Sequence, residues 1–189
     1  MGPAKENSDE IHLQSSKRPP SLIVLAGLPG SGKSTMARLI AMHTGAVWLR
    51  VDVLEAAMIA AGISRSFETG LAAYIGVRDQ ARDHLLLGRW VIVDAVNGVE
   101  EARKMWRDLS VELSVNRWVV ELVCSDLVEH RRRVESRTSP TPPLPMPTWE
   151  EVLCREYVTW KEPVLTVDTA LAVEDNLNLI LAYLRGIPA

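Results

Sequence analysis

Nine consecutive residues constrain this chain more than any others: Gly27, Leu28, Pro29, Gly30, Ser31, Gly32, Lys33, Ser34 and Thr35. They fit the spacing G-x-x-x-x-G-K-[ST]. They follow a short continuous apolar run, Leu22 to Ala26, and open a helical stretch from about Lys33 to His43. The apolar run is the pattern of a strand buried on both faces. Glycines in such a turn let backbone N–H groups curl around an anion with no Cβ in the way. The helix that follows aims its unpaired donors and the positive end of its dipole at the same place.

The rest of the chain repeats the alternation. Strand patterns lie at residues 46–51, 90–93, 117–123 and 164–167. Helical patterns lie at about 53–61, 68–87 and 100–109, from Ser125 or Asp126 to Ser136, at 149–161 and at 173–184. Asn97, with Glu100 three residues on, reads as a capping box for the third of these helices. Strands alternating with helices require crossover connections, hence a parallel sheet covered on both faces. The expected fold is a three-layer αβα sandwich. The segment Ser139 to Thr148 carries five prolines and reads as a stiff surface loop, a lid near 137–148. Residues 1–20 are polar and read as a tail, leaving 21–189 as one domain.

Composition excludes several classes. The 189 residues carry a net charge of −3, which argues against a strongly basic nucleic-acid binder. Two cysteines are too few for a disulfide framework or a four-cysteine zinc site. No apolar run reaches the ~18 residues of a membrane span, and Met1 to Pro20 lacks an apolar signal core. A cytoplasmic setting is therefore expected. Nothing in the pattern fixes an oligomeric state.

The chemistry follows from the strand ends. In a doubly wound sheet the carboxyl ends of the strands line the ligand crevice. Lys33 is placed to reach β and γ phosphates, the Ser34 hydroxyl to bind Mg²⁺, and Thr35 to support the α-phosphate. Asp94 ends the third strand as a carboxylate for Mg²⁺ or its water shell. Ala95 follows it, so no second carboxylate stands there to position a hydrolytic water. Asp52, read as the end of the second strand, can accept a proton from an acceptor hydroxyl; as an aspartate before a helix it can equally serve as an N-cap. Arg133 and Arg137 share one helix face before the proline-rich segment, where guanidinium groups can neutralise a transferring phosphoryl group. Arg131 and Arg132 read as a solvated face partnered by Glu129 and Glu135. Arg103 and Arg107 share another face, where a surface role and contact with an anionic acceptor are both open.

These residues together resemble the AAA-domain-like P-loop kinases that include polynucleotide kinase, adenylylsulfate kinase, zeta toxins and chloramphenicol phosphotransferase. The resemblance runs from about Ser21 to Arg185. It rests on the Gly27 to Thr35 loop, Asp52 with the segment Val51 to Met58, Val93-Asp94-Ala95, Cys124-Ser125-Asp126 with Arg133 and Arg137, and Val167-Asp168-Thr169. It implies ATP and Mg²⁺, a strand order of 2-3-1-4-5, and transfer of the γ-phosphate, with Asp52 as general base and Arg137 at the transition state. Polynucleotide kinases place an arginine three residues after the base aspartate. Here Glu55 stands there, which suits a neutral or cationic hydroxyl acceptor and argues against nucleic-acid ends. The expected activity is phosphorylation of a small molecule. The competing readings are a polynucleotide or nucleotide kinase, and a nucleotide-binding regulatory module without transfer.

Overall fold

A computed structural model describes residues 19–136 and 147–186. Arg137 and residues 139–146 of the proline-rich segment lie outside the described residues, as do residues 1–18 of the expected tail. Five strands form one sheet: β1 (Ser21–Ala26), β2 (Val47–Arg50), β3 (Val91–Asp94), β4 (Asn116–Val123) and β5 (Leu165–Asp168). Their order is β2-β3-β1-β4-β5 and every pair is parallel, the expected 2-3-1-4-5 arrangement. The helices are α1 (Lys33–Thr44), α2 (Val51–Ala60), α3 (Phe67–Leu86), α4 (Glu100–Glu112), α5 (Leu127–Ser136), α6 (Trp149–Leu153) and α7 (Val173–Tyr183).

The central strand explains the layers. All six residues of β1 are buried, and alternate side chains point to opposite faces. Leu22 and Val24 join Val91, Val93 and Val119 under Ala73, Val77, Ala81 and Leu85 of α3 and Trp106 and Leu109 of α4. Ile23 and Leu25 join Ile92, Val120, Leu122 and Val167 under Met36, Ala37 and Ile40 of α1 and Leu177 and Ile180 of α7. Each face of the sheet thus has its own apolar layer.

Three local expectations are corrected. β2 ends at Arg50, so Val51 and Asp52 are the first two residues of α2. Val51 turns inward onto the α3 side of the core, which draws the helix start forward. Asp52 therefore neither ends a strand nor caps the helix; it lies in the first turn, at the positive end of the dipole.

Asn97 does not cap α4, whose N-cap is Val99. Asn97 is fully buried at φ 49°. Its Nδ2 donates to the Leu25 carbonyl at 2.7 Å, and its Oδ1 accepts from Trp106 Nε1 at 2.8 Å. Glu100, freed from the box, pairs with Arg107.

The helix expected over 149–161 stops at Leu153. It starts with a capping box, in which Thr148 Oγ1 accepts from the Glu151 N–H and Glu151 Oε2 accepts from the Thr148 N–H. Beyond it Arg103 draws off the backbone: its Nη2 donates to the Val158 carbonyl at 2.5 Å and its Nη1 to that of Thr159 at 3.3 Å. The Val158 N–H donates to Gly98. A backbone committed to these partners cannot continue helical bonds.

Candidate active site

The phosphate loop joins the end of β1 to α1. Gly27 sits at φ 138°, and its N–H donates to the Val96 carbonyl at 3.1 Å, tying the loop to the end of β3. A Cβ at Gly27 would stand 2.2 Å from the Leu122 carbonyl oxygen, so only glycine fits. Gly32 is the N-cap of α1, and its carbonyl accepts from the Thr35 and Met36 N–H groups at 3.1 Å. No acidic residue occupies the first turn of α1, which leaves its positive end open to an anion. Lys33 Nζ folds back over the loop and donates to the Leu28 carbonyl at 2.8 Å. Ser31 Oγ is buried without a hydrogen-bond partner among the described residues; an orphaned hydroxyl inside an N–H-rich turn fits a phosphate oxygen. Thr35 is exposed next to Ser34.

Beside the loop stand oxygen donors. Ser34 Oγ donates to Asp94 Oδ2 at 2.8 Å, so the hydroxyl at the start of α1 and the carboxylate at the end of β3 share one point. Trp48 Nε1 donates to the same Oδ2 at 3.3 Å. Asp94 is 4% exposed. One hydroxyl and one carboxylate suit Mg²⁺, which keeps several waters and takes remaining ligands from phosphates. No cluster of three or more His, Cys, Asp or Glu residues that could hold a metal exists among the described residues.

Asp52 faces the crevice at 51% side-chain exposure and takes a hydrogen bond from Arg50 Nη2 at 3.0 Å. Arg50 Nε lies 3.8 Å from Asp94 Oδ2, and the guanidinium stands over the Trp48 ring. Asp52, Arg50 and Asp94 therefore form one row from the start of α2 to the end of β3. On α3, the Tyr74 hydroxyl accepts from the Asn97 N–H at 3.3 Å. Burial pushes the Tyr74 phenol above its usual range, with the charges of Glu55 and Asp94 adding to the rise and that of Arg155 opposing it.

On the far side, Arg133 donates from Nη1 to Thr169 Oγ1 at 2.8 Å, from Nη2 to the Thr169 carbonyl at 2.9 Å, and from Nε to Glu129 at 2.8 Å. It ties α5 to the loop after β5. Asp168 accepts from the Ser125 hydroxyl and from the Ser125 and Ala170 N–H groups, and these bonds hold its carboxyl below the usual range.

A family model described as an AAA domain matches residues 22–172. The chain belongs to this AAA-domain family. Solved structures share the fold of this AAA-like chain. A Chloroflexus aurantiacus protein provisionally described as a kinase is 21% identical, covering 91% of this chain and 100% of its own, with a TM-score of 0.72. A Mycobacterium tuberculosis APS kinase, solved with AMPPNP and APS, is 18% identical with a TM-score of 0.63, covering 88% of this chain and 98% of its own. A gluconokinase from Sinorhizobium meliloti is also 18% identical with a TM-score of 0.63, covering 90% and 98%. Among curated proteins, a shikimate kinase from Chlorobium chlorochromatii is 36% identical over 86 residues, 45% of this chain and 45% of that one. The match therefore spans under half the length of that relative.

In this AAA-like chain the structure links Ser34, at the end of the loop Gly27 to Thr35 and next to Lys33, through Asp94 and Arg50 to Asp52. It leaves Arg103 outside that group: Arg103 is 2% exposed and locked onto backbone carbonyls. It adds Arg50, which sequence reading missed. A charged residue ending a strand beside an aspartate was the available signal.

Proposed function

We propose that this chain transfers the γ-phosphate of ATP to a hydroxyl of a small molecule. The observation that carries the reading is the row formed by Ser34, Asp94, Arg50 and Asp52: an oxygen pair fit for Mg²⁺ beside a phosphate loop, with an exposed carboxylate held next to it. The backbone of Gly27 to Thr35 binds phosphate oxygens, and Lys33 leaves the Leu28 carbonyl for the β and γ phosphates. Ser34 and Asp94 would hold Mg²⁺, which would supply positive charge against the phosphates. Asp52 accepts the acceptor hydroxyl's proton and keeps its oxygen in line. Arg50 fixes the Asp52 carboxylate. Arg133, which donates to Thr169 in the loop after β5, would serve the nucleotide there, and Arg137 would supply positive charge to the phosphoryl group in transfer.

Glu55 follows Asp52 by three residues on α2 and brings a second negative charge to that helix start. A hydroxylated metabolite, sugar or antibiotic with a cationic or neutral group near the reacting hydroxyl suits that charge. The curated relative and one structural neighbour are named as kinases of small acceptors, shikimate and gluconate. The test is a panel assay with ATP and Mg²⁺ over hydroxylated metabolites, sugars, antibiotics and 5′-hydroxyl oligonucleotides. Acceptor-dependent ADP release with a small molecule is expected. Turnover confined to oligonucleotides, or tight ADP binding with no turnover across the panel, overturns the reading.

A further inference from the structure

The phosphate loop is gripped from outside by one helix. α5 lays His130 and Val134, four residues apart and so on one face, against Pro29 and Gly30. A Cβ at Gly30 would stand 2.6 Å from Val134 Cγ2 and 3.1 Å from His130 Cδ2. The His130 ring is 6% exposed and meets Trp149 of α6 edge-on, with centroids 5.1 Å apart. Its Nε2 lies 2.8 Å from the Pro29 carbonyl oxygen. A carbonyl only accepts, so Nε2 carries the proton and donates.

A peptide unit is planar and trans, so its C=O and N–H point in opposite directions. The Pro29 carbonyl and the Gly30 N–H belong to one such unit. A hydrogen bond that draws the carbonyl toward α5 turns the Gly30 N–H away from α5. Pro29 has no N–H of its own, so the Gly30 donor matters more at this bend. Gly30 sits at φ 82°, and a glycine here leaves the unit free to rotate unless something holds it.

We propose that His130 is a positioning residue for nucleotide phosphate: its Nε2–H locks the Pro29–Gly30 peptide so that the Gly30 N–H is aimed before the anion arrives. A donor aimed in advance costs no reorganisation on binding. The inference rests on the reading of Gly27 to Thr35 as the nucleotide phosphate site. It extends that reading to a buried group on the helix outside the loop.

The test is calorimetric binding of Mg²⁺-ADP to the 189-residue chain and to three variants. In His130→Gln the amide nitrogen reaches the place of Nε2. In His130→Asn it ends a bond short. His130→Phe keeps the ring volume without a donor. His130→Gln is expected to bind within about threefold of the parent, while His130→Asn and His130→Phe lose about tenfold, the scale of one buried hydrogen bond. His130→Asn and His130→Phe both lack the donor at that place but fill the site differently, so they are expected to share the affinity loss although their thermal midpoints differ, whereas under a purely structural role affinity would follow the midpoint. His130→Asn binding as tightly as the parent, or His130→Gln as weakly as His130→Asn, overturns the proposal. If His130→Phe does not fold, the Gln and Asn pair still decides. A parent chain that binds no ADP sinks the phosphate-site reading itself, a result distinct from a parent and variants that all bind alike.

Discussion

Arg50 Nη2 lies 3.0 Å from Asp52 Oδ2, so the last residue of β2 holds the second residue of α2 across the point where strand becomes helix. The Arg50 side chain is only 18% exposed and its Nε lies 3.8 Å from Asp94 Oδ2. One cation thus fixes the distance between the two carboxylates with separate tasks in the proposed reaction. Asp52→Asn is expected to lower turnover about 10²–10⁴-fold, the usual worth of a positioned base, with ADP affinity unchanged. Arg50→Gln leaves the base in place but unheld, and a loss nearer tenfold is expected. Both are read from steady-state kinetics with the acceptor found by the panel assay, alongside ADP titration. Normal turnover in Asp52→Asn removes the residue from its role.

The alternation of strands and helices and the phosphate loop were legible in the sequence because their signals are local: apolar runs, glycines and a lysine at fixed spacing; the strand order followed only from the family resemblance. What stayed hidden depends on partners far along the chain. Arg103 resembles a surface arginine four residues before Arg107, yet its donors meet carbonyls 55 and 56 residues away. Asn97 with Glu100 matches a capping box, but the Leu25 carbonyl and the Trp106 indole claim its side chain instead. Arg50 gains meaning only when pairing of β2 with β3 places it beside Asp94. No spacing rule carries any of these contacts.

Arg103 should therefore matter to stability more than to charge. Its guanidinium stacks on the Trp160 ring at 3.7 Å and serves the carbonyls of Asn97, Gly98, Val158 and Thr159. Arg103→Met fills the volume but strands those carbonyls. A loss of about 2–4 kcal/mol is expected, because buried polar groups left unpaired are costly. Urea unfolding checks this, and limited proteolysis is expected to cut first in residues 155–163. A variant within 0.5 kcal/mol of the parent, the scatter of ordinary surface changes, would show that the network is dispensable.

Two glycines predict opposite signs. Gly27→Ala puts a Cβ 2.2 Å from the Leu122 carbonyl at φ 138°, and backbone cannot step aside as a side chain can. A cost of at least about 3 kcal/mol is expected, with ADP binding lost. Gly70 lies inside α3, where a Cβ meets only Glu55 Oε1 at 4.0 Å. Gly70→Ala is expected to stabilise the chain by about 0.5–1 kcal/mol through helix propensity. Thermal unfolding of both variants measures the contrast; a destabilised Gly70→Ala would mean that the α2–α3 gap is tighter than it stands here.

The pair Ser34 and Asp94 predicts how the chain responds to metal. Ser34→Ala and Asp94→Asn each remove one oxygen donor, and the Mg²⁺ concentration needed for ADP binding is expected to rise at least about tenfold. Chelation of Mg²⁺ should weaken ADP binding in the parent and change it little in Asp94→Asn. Trp48 donates to Asp94 Oδ2, so its indole reports on that carboxylate. A fluorescence change on adding Mg²⁺-ADP, absent in Trp48→Phe, is the expected signature. Unaltered Mg²⁺ dependence in Asp94→Asn would take the metal away from this position.

Acid should loosen α5 in a defined direction. Arg132 and then Arg133 donate to Glu129, and these bonds hold its carboxyl down to about 2 from an ordinary 4.5. A folded-state value below the unfolded one means that the unfolded chain takes up the proton first as pH falls. The contribution of Glu129 is thus fully present above about pH 4.5 and is lost as pH falls from there toward 2. Asp168, held down by Ser125, contributes with the same sign over the range below its ordinary 3.8. The Arg132–Glu129 pair is solvent-exposed and the Arg133–Glu129 pair half-buried, so salt should shrink the effect, mainly through Arg132. Urea midpoints of the parent and Glu129→Gln are expected to differ by a constant amount between pH 6 and 7, with the gap narrowing below about 4.5. A gap that stays constant down to pH 3 would show that Glu129 acts through packing rather than through its charge.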